Sequence, residues 1–416
     1  MRETIDEPKD FLREPTFLPR ITRSDGHAVE EALASNLFDS GVRLKAAVID
    51  ATYAATDPPL LKRLRDERLP CLMEIHTQRF ITGRFLDIDS LAGLPYAPDE
   101  PISATNFNKE QASALAVGAL RFQQDHRCDH YISAALPYRD QDLNQWAVYN
   151  DWLLEEACRA NGGPEIDRRP LIAQVPPGRK TLMDPQRVVS RLLDYPIAGA
   201  YVQPLLLDPT KDGPEKLKQY VEFLQAIRDG GIPVLASRVG AFGLVLQALG
   251  IPAFDSGLGQ AEATNLAQLN RTPTEKELER KQEGRGGGPD RRIYFEVLKT
   301  TLTAGHAAAI LSQRGLRSSF VCEHGCCKYR GFEDLPERRR QHFLWTREAE
   351  VESIQTLPTP RLRRDFVREQ LRNAQEIARR TRRTLISLGV EAPRFDHLDR
   401  WVTLLGQEQL LPAFAT

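Results

Sequence analysis

From about residue 45 to about residue 255 one theme recurs along the chain. A short apolar run, rich in β-formers, leads into a polar or Gly/Pro-containing turn and then into a stretch whose aliphatic residues fall three and four apart. The runs are LKAAVID (44–50), PCLMEIH (70–76), HYISAAL (130–136), PLIAQV (170–175), AGAYVQ (198–203), IPVLAS (232–237) and IPAFD (251–255). Strand and helix alternating in this way predict βα units and a parallel sheet. Seven strands separated by about twenty to fifty residues point to an α/β fold of the (β/α)8 TIM-barrel type more than to an open doubly wound sheet.

The helical stretches PPLLKRLRDER, PQRVVSRLLDY, GPEKLKQYVEFLQAIRDGG and GAFGLVLQALG carry the expected spacing, and the third ends in a glycine pair suited to a helix C-cap. The eighth unit is harder to place. Residues 266–292 combine a charged stretch with a triple glycine and read as a long loop or insertion. RIYFEVLKT (292–300) then reads as the eighth strand and TAGHAAAILSQRG (303–315) as its helix. The resulting division is an N-terminal extension (1–40), the barrel (41–315), a zinc-binding insertion (316–345) and a helical, arginine-rich C-terminal region (346–416).

Composition changes this picture little. The 416 residues suit one large barrel with an appendage, and a net charge of -1 with 27% charged residues gives no overall basic field, so nucleic-acid binding would need a local patch. No apolar run is long enough to span a bilayer, and the first twenty residues place acids and prolines where a signal peptide needs an apolar core. The expectation is a soluble, cytoplasmic protein without membrane contact and with reduced cysteines.

Barrels of this type draw their reactive groups from the C-terminal ends of the strands. Here those ends are polar: Asp50 closes the first run; Glu74, His76 and Gln78 alternate along the second; Gln174, Gln203, Arg238 and Asp255 close the fourth to seventh. Glu74 and Asp255, with Asp50, are candidate catalytic carboxylates, and His76, Gln78, Gln174, Gln203 and Arg238 are candidate substrate-binding groups. One carboxylate can attack an electrophilic carbon while another handles a proton. Alternatively, the carboxylates can share a divalent cation. Asp50 has a plainer reading as the cap of a helix beginning at Ala51-Thr52.

Three of the six cysteines fall in Cys322-Glu323-His324-Gly325-Cys326-Cys327, and His342 follows. Read as C-x-H-x-x-C, the set Cys322, His324, Cys327 and His342 supplies four tetrahedral ligands for a structural Zn2+, with Cys326 as a substitute for its neighbour. The plainer reading is buried cysteines and surface histidines. A local disulfide fits poorly, because adjacent cysteines bridge badly and Cys71, Cys128 and Cys158 are scattered.

Residues 361–383 hold nine arginines against three acids. Leu362, Phe366, Leu371, Ala374 and Ile377 predict an apolar stripe against the barrel, while Arg379, Arg380, Arg382 and Arg383 would face outward, either to grip phosphates or as an ordinary solvated face.

In this order of motifs the chain resembles the tRNA-guanine transglycosylase family, zinc-containing barrels that exchange purine bases in nucleic acid. The resemblance spans roughly residues 165 to 345 and rests on Ile172-Ala173-Gln174, Gly199-Ala200-Tyr201, Val234 to Gly240, Gly250-Ile251-Pro252-Ala253-Phe254-Asp255, and Cys322-x-His324-x-x-Cys327 with His342. It implies Asp255 as the nucleophile on the sugar carbon C1′, Glu74 as the general acid/base and Gln174 as a partner of the exchanged base. It implies Zn2+ as a cofactor and tRNA or DNA as a partner; a homodimer or a multi-protein assembly is compatible with it. Two other readings stand beside it: a barrel that has lost this chemistry and serves as a nucleic-acid- or protein-binding component, and a small-molecule lyase or hydrolase using Asp50, Glu74, His76 and Asp255 around a metal.

Overall fold

The computed structural model describes residues 11–34, 44–259, 263–265, 292–320 and 335–410. Its centre is an eight-stranded, all-parallel sheet, rolled into a nearly closed barrel and surrounded by helices. The strands are β1 (Thr16–Ile21), β2 (Ala47–Asp50), β3 (Cys71–Glu74), β4 (Tyr131–Ile132), β5 (Leu171–Val175), β6 (Gly199–Val202), β7 (Val234–Ala236) and β8 (Ala253–Gly257). In space each lies beside its sequence neighbours, and β8 pairs back onto β1. Closure between β3 and β4 is made by Asp129, whose amide donates to the Cys71 carbonyl at 3.0 Å and whose carboxylate accepts from the Cys71 amide at 2.8 Å.

All seven apolar runs are strands of this barrel, so the fold class is the one that the alternation predicts. The eighth strand is not. Arg292–Phe295 pairs antiparallel with Thr300–Thr303 as a hairpin outside the barrel, and the missing strand is Thr16–Ile21, within the segment read as an N-terminal extension. TFLPRI carries a proline, which argues against a central strand, and no helical pattern precedes it. The eighth helix moves as well. The helix at Ala304–Leu311 exists, but the position beside β1 is filled by α8 (Arg339–Gln355), which packs on β1, on α1 (Gly26–Ala34) and on α7 (Phe242–Ala248). A local pattern cannot distinguish a hairpin followed by a helix from a βα unit, because the pairing partner is remote.

Side chains alternate across a strand with period two, and the barrel interior follows that rule in layers. One apolar layer draws a residue from every strand: Leu18, Val48, Leu72, Ile132, Ile172, Tyr201, Leu235 and Ala253, closed below by Phe11 and Leu12. Moving two residues on, towards the C-terminal mouth, gives Arg20, Asp50, Glu74, Gln174, Gln203, Ser237 and Asp255, all buried. The same period that fills the floor with aliphatics thus loads the mouth with charge. On the outer face Phe254 packs under α7, where a Cβ on Gly243 would stand 2.1 Å from Phe254 Cδ2, so glycine there lets the helix seat directly beside Asp255.

α9 (Pro360–Ser387) starts on a Thr359 cap with proline in its first turn. Its buried stripe is Val367, Leu371, Ala374, Ala378, Thr381 and Leu385. Phe366 and Ile377 pack at its edge, whereas Leu362, expected in the stripe, is 48% exposed because it lies in the first turn, outside the contact. The hairpin is pinned to α8 by buried charge. Glu350 accepts from Lys299 Nζ at 2.5 Å and from the Tyr294 hydroxyl at 2.9 Å, and the guanidinium of Arg347 lies 4.5 Å from the Tyr294 ring centroid. Replacing Glu350 with Ala strands these cations in a dry interface, so we expect a loss of roughly 3–5 kcal/mol, read as a lowered urea midpoint.

Candidate active site at the barrel mouth

Each charged side chain of the mouth layer is placed by the end of a different strand. Asp50 closes β2 and caps the short helix that follows, accepting from Thr52 N at 2.9 Å; the cap reading of this residue is borne out, and it does not remove Asp50 from the site. Its other oxygen meets His76 Nε2 at 2.9 Å. β3 ends at Glu74, so His76 and Gln78 do not continue its alternation as the sequence predicts. Instead, His76 adopts a left-handed conformation, φ 57°, and Thr77–Arg79 forms a 3-10 turn that returns Gln78 to the interior. Arg238, just beyond β7, is also left-handed, at φ 59°. Non-glycine residues held there cost about 1–3 kcal/mol and cluster at working sites.

Glu74 is the hub. Its Oε1 accepts from Arg238 Nη2 at 2.6 Å, Arg238 Nε at 3.1 Å and Gln203 Nε2 at 3.0 Å, and its Oε2 lies 3.4 Å from Arg20 Nη1. His76 Nδ1 stands 3.7 Å from Oε1. Arg20 also reaches Asp255, with Nε 3.6 Å from Oδ1, so its guanidinium bridges the two carboxylates. Asp255 Oδ1 accepts from the Arg238 amide at 3.1 Å, while Oδ2 is buried without a partner in hydrogen-bonding geometry. Beside this group three carboxamides form a chain: Gln174 Nε2 donates to Gln78 Oε1 at 3.1 Å, and Gln78 Nε2 donates to Gln203 Oε1 at 2.9 Å.

These surroundings separate the acids. Burial alone would raise Glu74, but Arg238, His76 and Arg20 outweigh it and hold its pKa at about 2. For Asp50 burial again works upward, and His76, Thr52 and Arg20 hold it well below the usual carboxylate range. Asp255 goes the other way: burial and the negative charge of Glu74 raise it, against the pull of Arg20, Tyr201 and the Arg238 amide. Of the pair, Glu74 is shifted towards its ionised form and Asp255 towards its protonated form. This is the reverse of the roles that the family resemblance implies.

Asp50, Glu74 and His76 each offer a ligand atom within 4.8 Å of the others, a spacing that fits a metal ion. Charge weighs against a cation there, because Glu74 already meets two guanidiniums and a carboxamide, and a divalent ion would face Arg20 and Arg238 at short range.

All eight barrel residues expected at the site, Asp50, Glu74, His76, Gln78, Gln174, Gln203, Arg238 and Asp255, thus converge on one layer. Sequence reading missed Arg20, Thr77, Tyr201 and Ser237. Arg20 sits on the missed strand, two residues past Leu18, and that spacing was its only signal. The Ser237 hydroxyl donates to the Tyr201 hydroxyl at 2.8 Å, and the Thr77 hydroxyl lies 3.3 Å from Gln174 Oε1. Cys322, His324, Cys326 and Cys327 lie outside the described residues. His342 is buried on α8, and its Nε2 donates to the Tyr294 carbonyl at 2.9 Å. Arg379, Arg380, Arg382 and Arg383 are exposed on α9; Arg379 pairs with Glu376, and Arg380 donates to the Gly315 carbonyl.

The depressed pKa of Glu74 makes a prediction about acid stability. Its ionised form is favoured in the folded chain, so its contribution is complete above about pH 4.5 and is lost as the pH falls towards about 2. Unfolding free energies from urea titrations of the wild type and of Glu74→Gln should differ by roughly 3 kcal/mol at neutral pH and converge across that window; a gap that persists below it would contradict the assignment.

No family model and no curated protein matches the chain. Among solved structures it is similar to the carboxyl transferase domain from Rhizobium etli pyruvate carboxylase, at 11% identity and TM-score 0.33, covering 82% of this chain and 48% of that one. It is also similar to nitroalkane oxidase from Streptomyces ansochromogenes, at 12% identity and TM-score 0.32, covering 83% of this chain and 96% of that one. The chain spans about half the length of the former, and at these scores neither likeness bears on function.

Proposed function

We propose that the protein is a barrel enzyme of the glycosyl-transfer type, exchanging or modifying a purine base in nucleic acid, with Glu74 and Asp255 as its working carboxyl pair. The observation that carries the reading is two carboxyls buried in one layer at the strands' C-terminal ends, with the Arg238 guanidinium on Glu74 and only the Arg238 backbone amide on Asp255, which displaces their pKa values in opposite directions. Cleavage of a bond at C1′ builds positive charge on the sugar and negative charge on the leaving base. Glu74, ionised, offers charge to the first; Asp255, the later to ionise, offers a proton to the second. The carboxamide chain Gln78–Gln174–Gln203 presents the paired donors and acceptors that the edge of a planar heterocycle requires. Arg20 lies between the two carboxylates, so its guanidinium would have to move for one sugar to reach both.

The position of Arg20 also supports a second reading, a barrel that binds nucleic acid or a protein partner without turnover, in which the mouth layer is a structural charge network. Base exchange separates the two. With labelled purine and either tRNA or a DNA duplex, the first reading expects incorporation that falls at least about a hundredfold in Asp255→Asn and Glu74→Gln. Because Asp255 must carry its proton, the rate should fall as pH rises through its raised pKa, and Asp255→Asn should lack that limb. Binding without incorporation, at any pH, would sink the enzymatic reading.

Structural zinc belongs to the same proposal. A zinc-ligating histidine usually donates a ring N–H to a carbonyl or carboxylate, and His342 Nε2 donates to the Tyr294 carbonyl. Together with Cys322, His324 and Cys327 it would hold Zn2+ as a fold-stabilising site. Elemental analysis should find one zinc per chain, lost in Cys322→Ser, with chelation lowering the melting temperature. A metal-free, fully stable wild type would remove the site.

A further inference from the structure

At the same end of the barrel, away from the carboxyl pair, the loops that follow β4, β5 and β6 and the first turns of the helix Pro214–Asp229 line a half-open cavity of about 690 Å3. The loops are joined where they leave the sheet: Tyr138 bridges to Pro177, and the Leu205 amide donates to the Pro177 carbonyl at 3.1 Å. Gly178 makes the approach possible, since a Cβ there would stand 2.1 Å from the Tyr138 carbonyl oxygen. The floor of the cavity is thus built by strand ends and not by a chance gap between surface side chains.

Its lining sorts into two chemistries. Pro177, Leu182, Leu205 and Leu206 form an apolar wall, on which Leu206 is 53% exposed. Arg139 and Arg179 supply the charge, and neither makes a side-chain ion pair or hydrogen bond among the described residues. The neighbouring charges are already engaged. Lys216 pairs with Asp212 at 2.8 Å, and Asp140 accepts from the Lys180 amide at 2.9 Å. Glu215, also on the lining, has no such partner among the described residues and offers an acceptor for hydroxyl or amino groups.

We infer that this cavity binds a nucleotide, with Arg139 and Arg179 on its phosphate and the Leu205–Leu206 wall against the flat face of its base or sugar. Two unpaired guanidiniums suit a phosphate, which they grip through several donors at once; an apolar shelf beside them suits a planar ring; and the volume lies in the range of small-ligand sites. Two of its lining residues, Pro177 and Leu205, follow Gln174 and Gln203 of the carboxamide chain by three and two residues in sequence. The choice of a nucleotide over another phosphate ester rests on the proposed base exchange; the anion site does not.

Calorimetric titration of the full chain tests the inference, with purine mononucleotides, their nucleosides, inorganic phosphate and a short single-stranded oligonucleotide as probes. Nucleotides should bind, nucleosides at least about tenfold more weakly, and binding should weaken with salt. Arg139→Gln combined with Arg179→Gln should abolish binding, and Leu206→Trp, which fills the cavity from an exposed position, should do the same without lowering the melting temperature. Tighter binding of the oligonucleotide than of the mononucleotide would identify a polymeric source, and equal binding a free one; both support the site. Binding that is unchanged in both variants, or that inorganic phosphate alone reproduces, would overturn it. Asp255→Asn should leave this binding intact: base exchange absent with binding present rejects only the enzymatic reading, and exchange present with binding insensitive to the cavity variants rejects only this one.

Discussion

Closing a barrel around ionised groups is possible only if those groups compensate one another, and in this protein the compensation runs through Glu74. Its carboxylate meets Arg238, Arg20 and Gln203 and lies close to His76, which ties the ends of β3, β1, β6 and β7 together at the mouth. A buried network of this kind is weak evidence for extra stability, since desolvation consumes most of the Coulombic gain. It does fix positions. Removing the hub would leave two guanidiniums in a dry interior, and the left-handed backbone at His76 and Arg238 would lose the contacts that hold it in place.

From that constraint follows the asymmetry of the acids. Arg238 gives its guanidinium to Glu74 and only its backbone amide to Asp255. Arg20 stands closer to Glu74 than to Asp255. Asp255 is therefore buried next to a carboxylate that has taken more of the available positive charge, and its pKa is raised for that reason. The same layer carries the carboxamide chain, so proton donor, fixed anion and hydrogen-bonding edge come from consecutive interior positions of one barrel.

Much of this was legible in the sequence because the barrel's periodicities are local. The seven apolar runs located seven strands, and polar residues at their ends located eight of the residues that meet at the mouth. What failed depends on distance along the chain. Thr16–Ile21 is held in the barrel by β8, more than two hundred residues later, and Pro19 disguised it; Arg20 was lost with the strand. Arg292–Phe295 looked like a barrel strand because an apolar run does not announce whether its partner is parallel or antiparallel. The acid roles could not be read either, since they depend on which carboxylate the two arginines favour, a matter of ångströms. Likewise, Arg139 and Arg179 had no motif to mark them; only the meeting of three loops gives them a shared cavity.

The central claim is the order in which the two mouth carboxyls give up their protons. An infrared pH titration of the folded protein, with the carboxyl bands assigned by Asp255→Asn and Glu74→Gln, measures that order directly. The account predicts that, on acidification, the protonated band of Asp255 appears before that of Glu74, which follows near pH 2. If Glu74 takes up its proton before Asp255, the charge network does not act as described and the assignment of roles is wrong.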